Sequence, residues 1–222
     1  MPDARSERSR PLRWYRRLDA PTRAHVALRW ASSPIGPLCS MLPVEGRILD
    51  WGCGHGLLAL WKAHGSPAVT VLGCDIDAAK VALARAAAQE TALGERVRFE
   101  QVEADASPTG RWDGVVINDV LYLLEPPAQE ALVRACCRVL EPGGVILCAE
   151  MGDRPRWKAR LAAVQEQIAV RIAGITASAT GAATYPDPAE VAAWMADEGL
   201  AVDLVDQGRG YHVPHVAVRG VR

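Results

Sequence analysis

The chain has almost no net charge: 25 Lys and Arg stand against 26 Asp and Glu, giving −1 overall with histidine neutral. That removes any global case for attraction to nucleic acid, and no stripe of basic residues with interleaved aromatics supplies a local one. No apolar run reaches the length of a membrane span. Six cysteines are present but no Cys-x-x-Cys pair, so a zinc or redox-motif reading is poor and no metal is expected. Cys53, Cys74 and Cys148 lie in or beside apolar strand patterns, and Cys136 and Cys137 are neighbours in a helical one. That usage fits a reducing, cytoplasmic setting. The start is rich in arginine, through Arg5, Arg8, Arg10, Arg13, Arg16 and Arg17, but no apolar segment of signal-peptide type follows, so secretion is not expected. Internal repeats are absent, and so are low-complexity tracts beyond an alanine bias.

Residues 1–11 read as a disordered, solvated basic arm, with contact to an acidic substrate or lipid headgroup as the sharper alternative. Half the residues are hydrophobic, enough for 12–222 to form one domain with a real core. The stretch Arg47-Ile48-Leu49-Asp50-Trp51-Gly52-Cys53-Gly54-His55-Gly56-Leu57 is its organising feature. An apolar strand runs into an acid, glycines follow at alternate positions, and a helical pattern begins. Such a loop can bring bare backbone against a ligand, and the helix start behind it favours a negatively charged group.

Around it, strands are expected at about 46–51, 69–75, 97–102, 114–118 and 145–150. Helices between them are expected at about 56–64, from an Asp77 cap to about Thr91 with Gly94 marking its end, and from Pro126-Pro127 to a stop at Pro142-Gly143-Gly144. In the last of these, rows through Ala131, Ala135 and Val139 and through Leu132, Cys136 and Leu140 form the expected apolar face. Strands alternating with helices predict an α/β fold, an open parallel sheet with helices on both faces. Two helices precede the sheet, at about 12–18 and 21–32, broken by Pro21, Pro34 and Pro37, and 12–42 as a whole reads as a helical lid. After strand five comes a helical insertion, 152–186, whose apolar residues recur at three or four from Trp157 to Ile175. A helix at about 187–198 and an antiparallel pair at about 201–206 and 213–219 complete the chain.

The dinucleotide fingerprint Gly-x-Gly-x-x-Gly needs a third glycine where this chain has Leu57. The spacing here is Asp-x-Gly-x-Gly-x-Gly. With the motifs that follow, it resembles the class I S-adenosylmethionine-dependent methyltransferases over about residues 46–151. Asp50–Gly56 is similar to the family's first motif, Gly73-Cys74-Asp75-Ile76-Asp77 to the second, Glu103-Ala104-Asp105-Ala106 to the third, Trp112–Leu121 to the fourth, and Arg138–Gly144 to its RxLkPGG turn. The resemblance implies a Rossmann-like three-layer sandwich with strand order 3-2-1-4-5-7-6, strand seven antiparallel. It also implies S-adenosyl-L-methionine as cofactor. Its methionine part would lie on Asp50, Gly52, Cys53, Gly54 and Gly56, its ribose on Asp75, and its adenine on Ile76, Asp105 and Ala106, with Asn118 and Asp119 alongside. Carboxylates suit two vicinal hydroxyls because they only accept. Taken singly, Asp75 could be a helix cap, Asp105 an Asx-turn, and Asn118 and Asp119 loop caps.

No Asn/Asp-Pro-Pro-Tyr/Phe follows strand four, where Asn118-Asp119-Val120-Leu121-Tyr122 stands, so the usual amide or adenine N-methylation signature is missing. A small-molecule or lipid-like acceptor, methylated at oxygen, is the expectation. The alternatives are a non-catalytic cofactor-binding protein that uses its insertion for partners, and a dinucleotide oxidoreductase. Tyr15, His25, Trp157, Tyr185 and Tyr211 are candidate acceptor-binding residues, and His212, His215 and Tyr122 candidate catalytic ones. His212 and His215 would point to opposite faces of a regular strand, a poor metal pair. His55 reads as loop packing and His64 as exposed at a helix end.

Overall fold

A computed structural model describes residues 11–151, 184–207 and 215–222. The strands are β1 (Glu45–Trp51), β2 (Ala68–Asp75), β3 (Val97–Gln101), β4 (Trp112–Asn118), β5 (Leu140–Met151), β6 (Ala201–Asp206) and β7 (His215–Val221). The described helices are α1 (Ala20–Ser32), α2 (Ile35–Met41), α3 (Leu57–Gly65), α4 (Ala78–Gln89), α5 (Pro126–Arg138) and α6 (Pro188–Asp197). They flank one seven-stranded sheet of order β3-β2-β1-β4-β5-β7-β6. β1 pairs in parallel with β2 on one side and β4 on the other, so the direction of winding reverses between β1 and β4. β7 runs antiparallel to both β5 and β6. The crevice where ligands bind such sheets lies outside the carboxyl ends of the strands at that reversal, where Asp50, Trp51 and the glycine loop stand.

Two apolar layers fix the sheet. One face, with Ile48, Val116, Leu147 and Ala149, packs under the N-terminal segment, α3 and α4. The other, with Leu49, Ile117, Ile146 and Cys148, packs under α5 and α6. Strands buried on both sides read as near-continuous apolar runs, which is how they stood in the sequence. All six cysteines are free and buried. Among the described residues, no helix is long and apolar enough to cross a membrane.

The N-terminal segment departs from expectation. Residues Pro11–Tyr15 form a 3-10 turn, not a helix over 12–18. α1 begins at an Asp19 cap whose carboxylate accepts from Thr22 N at 2.8 Å, and Pro21 falls in its first turn. Pro34 and Pro37 do not leave a loop: α2 forms because Pro37 sits in a first turn, where an N–H has no helical partner to lose. Lys62 of α3 is buried and donates to Cys39 O at 3.0 Å and Leu42 O at 3.2 Å, tying the end of α2 to the domain. Trp14 and Trp30 meet Trp61 of α3 ring to ring, so much of the aromatic content here is packing. Arg16 and Arg17 pair with Glu90, while residues 1–10 lie outside the described residues.

α5 stops at Arg138; the expected row Leu132, Cys136 and Leu140 packs in the core with Val139, while Ala131 is exposed and Gln129, Val133 and Cys137 join the inward face. Gly94, with φ 58°, opens a 3-10 turn of its own rather than capping α4, which ends at Gln89. The insertion expected over 152–186, including Trp157, lies outside the described residues up to 183, as do Tyr211 and His212.

Candidate active site

The loop after β1 holds three left-handed glycines: Gly52 at φ 79°, Gly54 at φ 53° and Gly56 at φ 78°. A side chain at Gly52 would collide with Val120, and one at Gly56 with Phe99. Around Gly54 nothing lies within 4 Å of where a Cβ would be, so bare backbone faces the crevice there. The amides of Gly52 and Cys53 donate to Cys74 O at 2.7 and 2.9 Å. Asp75, closing β2, accepts from Gly54 N at 2.7 Å on one oxygen and from Asp77 N at 2.9 Å on the other. One carboxylate thus fixes two loops while remaining partly exposed. Ile76 follows with 55% of its surface exposed, an apolar side chain waiting for a flat partner. Val102 N donates to Asp75 O at 3.0 Å, which brings the turn carrying Asp105 and Ala106 to the same edge. Asp105 is exposed there, and Ala106 N donates to Glu103 O at 3.0 Å.

Asp50 stands beneath the loop with 2% exposure, and its Oδ2 has no hydrogen-bond partner. Burial, then the charge of Asp75, push its carboxyl up to about 7, against a smaller opposing pull from the Ala59 amide. Asn118 Oδ1, across the crevice at the end of β4, is a second buried acceptor without a partner.

Beyond Asn118 the chain turns sharply. Asp119 is left-handed at φ 56°, rare for a residue with a side chain. The turn sends its carboxylate one way and its following amides another. Asp119 Oδ2 accepts from Arg29 Nη2 of α1 at 2.7 Å, and Oδ1 lies 3.5 Å from His215 Nε2 at the start of β7. Val120 N and Leu121 N donate to Glu150 Oε1 of β5 at 3.0 and 2.8 Å. Glu150 Oε2 is buried without a partner. Burial works to raise the Asp119 carboxyl, but Arg29 and then His215 outweigh it and hold it below the usual carboxylate range. Glu150 is pushed up, by burial first and Asp119 second, despite the two amides. Buried charges and a strained residue cost stability and concentrate at working sites.

The N-terminal segment roofs this edge. Tyr15, expected as a lid residue facing an acceptor, is fully buried, and its hydroxyl donates to His55 O at 2.8 Å; it anchors the glycine loop instead. His25 is half-buried with its ring 4.9 Å from that of His55. Burial, then His55 and Arg29, lower its pKa to about 4. Tyr122 stacks on Tyr185 at 5.1 Å, and Thr184 N donates to Tyr122 O at 3.1 Å.

A family description, "Methyltransferase domain", matches residues 48–144. The chain is 32% identical to the ubiquinone biosynthesis O-methyltransferase of Xanthomonas oryzae pv. oryzae, over 82% of this chain and 80% of that one. It belongs to the class I S-adenosylmethionine-dependent methyltransferases. The enzyme of the same name from Xanthomonas campestris pv. campestris is 30% identical over 78% of this methyltransferase and 75% of its own length. Solved structures share the fold. An O-methyltransferase family protein from Burkholderia thailandensis superposes with TM-score 0.70 at 22% identity, covering 95% of this chain; this chain spans 61% of that protein. Magnesium protoporphyrin IX methyltransferase from Synechocystis PCC 6803, crystallised with S-adenosylhomocysteine, gives 0.67 at 17% identity, over 97% and 93% of the two chains.

S-adenosylmethionine is the cofactor of this methyltransferase, and the residues at the crevice fit it. A buried carboxylate oxygen without a donor suits an ammonium, a bare backbone at Gly54 allows close approach, and exposed Ile76 offers an apolar surface. Asp119, expected beside the cofactor, pairs with Arg29 and His215. His215 and Asp119 come together; Tyr122 stands with Tyr185. Sequence reasoning missed Arg29 and Glu150. Glu150 had a signal, an acid closing an otherwise apolar strand. Arg29 had none, because it is one cation among several on a helix and its partner is ninety positions away.

Proposed function

We propose that this methyltransferase acts on a hydroxyl of a small organic acceptor and that His215 takes the hydroxyl proton. The observation that carries the reading is the buried pairing of His215 with Asp119 at the carboxyl edge of the sheet, beside the glycine loop. The curated relatives, named as O-methyltransferases, support oxygen as the methylated atom.

When bound, S-adenosylmethionine supplies an electrophilic methyl carbon on a sulfonium, a good leaving group. The chain's work is alignment, exclusion of water and disposal of one proton. Asp50 would hold the cofactor's ammonium, Asp75 its ribose hydroxyls, and Ile76 and Asp105 its adenine, with Ala106 and Asn118 beside them. A neutral hydroxyl must lose its proton as it attacks, so a base within reach is needed. The acceptor O–H proton would pass to His215 as the oxygen's electron pair forms the new O–CH3 bond, the cofactor supplying the methyl carbon and its sulfur keeping the S–C pair. Asp119 then faces an imidazolium, and opposite charges strengthen each other in a site shielded from water.

The test is a panel of phenols, catechols, amines and thiols incubated with S-adenosylmethionine, read by product mass and by release of S-adenosylhomocysteine. Only hydroxyl compounds should gain a methyl group. His215→Ala should lower turnover by about a hundredfold or more while calorimetry shows S-adenosylhomocysteine affinity held. Methylation at nitrogen or sulfur alone, or full turnover in His215→Ala, would overturn the reading.

A further inference from the structure

We propose that the acceptor carries an acid group and that Arg29 is the residue that reads it. The proposal rests on the reading of His215 and Asp119 just given, and it names the chemical class of the substrate.

Arg29 reaches from α1 to the loop after β4 and places one nitrogen, Nη2, on Asp119 Oδ2 at 2.7 Å. Among the described residues that is the guanidinium's single polar partner. The planar fork of arginine carries five N–H donors and matches a carboxylate edge with two of them at once. A one-nitrogen contact leaves such an edge unspent. The exposure points the same way: 34% of the Arg29 side chain is accessible against 4% for Asp119. The ion pair therefore joins a buried carboxylate to a partly exposed guanidinium side chain, at the turn that follows β4.

The local charge balance asks for an anion at the moment of reaction. The ionisable neighbours of Arg29 are His25, His55, Tyr122, Glu150 and Asp119. Burial holds the two histidines towards neutrality and Glu150 towards its protonated form. Among the described residues, the charge on Arg29 is then answered by Asp119 alone. Asp119 is also the partner of His215, through its other oxygen. Once His215 takes the acceptor's proton, one carboxylate faces two cations and a positive charge is left over. An acid group on the acceptor, held by the free edge of Arg29, balances it. Because the guanidinium and the imidazole sit on the two oxygens of one carboxylate, a single small molecule can span both.

A purely mechanical role for Arg29, clamping α1 down, is the competing explanation. α1 has other holds: the rings of His25 and Trp30 meet those of His55 and Trp61, and the segment just ahead of it is fixed by Tyr15 on His55 O and by Arg16 and Arg17 on Glu90.

The experiment uses the full chain and three probes: 3,4-dihydroxybenzoate, its methyl ester and catechol. Calorimetry on enzyme saturated with S-adenosylhomocysteine should show the acid binding about tenfold or more tighter than the ester. kcat/KM should show the same preference, carried by KM. Arg29→Gln should collapse the acid-over-ester ratio toward one in both assays, and Arg29→Lys, which keeps the charge but not the fork, should retain part of it. Should Arg29→Gln fail to fold, Arg29→Lys alone must still lower the ratio. Equal binding of acid and ester to the wild type, or binding of neither, overturns the proposal. So does a ratio unchanged by substitution, or an equal loss for both probes, which a clamp would give. Selective binding of the acid without its methylation leaves Arg29 standing and refutes the hydroxyl-acceptor reading instead.

Discussion

Replacing Asp50 with asparagine should make the ligand-free protein more stable and its cofactor complex weaker. The side chain is buried, one oxygen lacks a partner, and its carboxyl is pushed up to about 7 by burial and then by Asp75. An unfolded chain would hold the same proton with a pKa of about 3.9. The folded state therefore binds that proton more tightly, and stability falls as pH rises from about 4 to about 7, with the whole cost present above. A displacement of about three pH units corresponds to a ceiling of roughly 4 kcal/mol, so about 2–4 kcal/mol at pH 8 and under half of that at pH 5. Asp50→Asn keeps the shape and cannot ionise. Its urea midpoint at pH 8 should exceed that of the wild type, and its Tm should rise by roughly 5–10 °C, the gain shrinking in acid. The complex should respond in the opposite sense. Wild-type affinity for S-adenosylhomocysteine, which keeps the ammonium, should tighten from pH 6 to pH 8 as Asp50 ionises. The variant should bind about tenfold or more weaker at pH 8 and show little of that slope. A variant no more stable than the wild type at pH 8, or one binding with unchanged affinity, would refute the assignment of Asp50 to the ammonium.

Asp75→Ala removes the carboxylate that accepts from Gly54 N and Asp77 N, and should raise the dissociation constant of S-adenosylhomocysteine by about tenfold or more; unchanged affinity by calorimetry would sink the ribose assignment. Alanine at Gly56 meets Phe99 and Ala84 and should destabilise the fold by about 2–4 kcal/mol. At Gly54 alanine meets no neighbour, so only the left-handed strain of about 1–2 kcal/mol remains while cofactor affinity falls. Matching losses of stability in the two variants would contradict the division of labour drawn for the loop.

The elements bearing the cofactor motifs are legible because they depend on short-range signals, and the order of the sheet follows from the family resemblance those motifs carry. Alternate glycines, acids at strand ends and apolar runs lie within one element and need no tertiary information. The N-terminal segment departs from expectation because a proline breaks a helix only beyond its first turn: Pro37 in the first turn of α2 costs no hydrogen bond. The apolar rows of α5 omit Gln129 because it is polar, yet it is buried where its amide donates to Leu121 O, Leu124 O and Thr184 O. Tyr15 has the composition of a lid residue, and only the packed structure shows its hydroxyl spent on His55 O. The Arg29–Asp119–His215 cluster gathers α1, the turn after β4 and the start of β7. No spacing along one strand or helix encodes that meeting.

α1 meets both walls of the crevice within a single turn. His25 rests on the glycine loop through His55, and four residues later Arg29 rests on the turn after β4 through Asp119. A rigid helix cannot lift from one loop without disturbing its grip on the other. The consequence is kinetic. If α1 must move to admit the cofactor, the acceptor's anchor moves with it, and the acceptor site is complete only once the cofactor is seated. Turnover then follows a compulsory order, cofactor first and acceptor second. An unreactive acceptor analogue would inhibit competitively against acceptor and uncompetitively against S-adenosylmethionine.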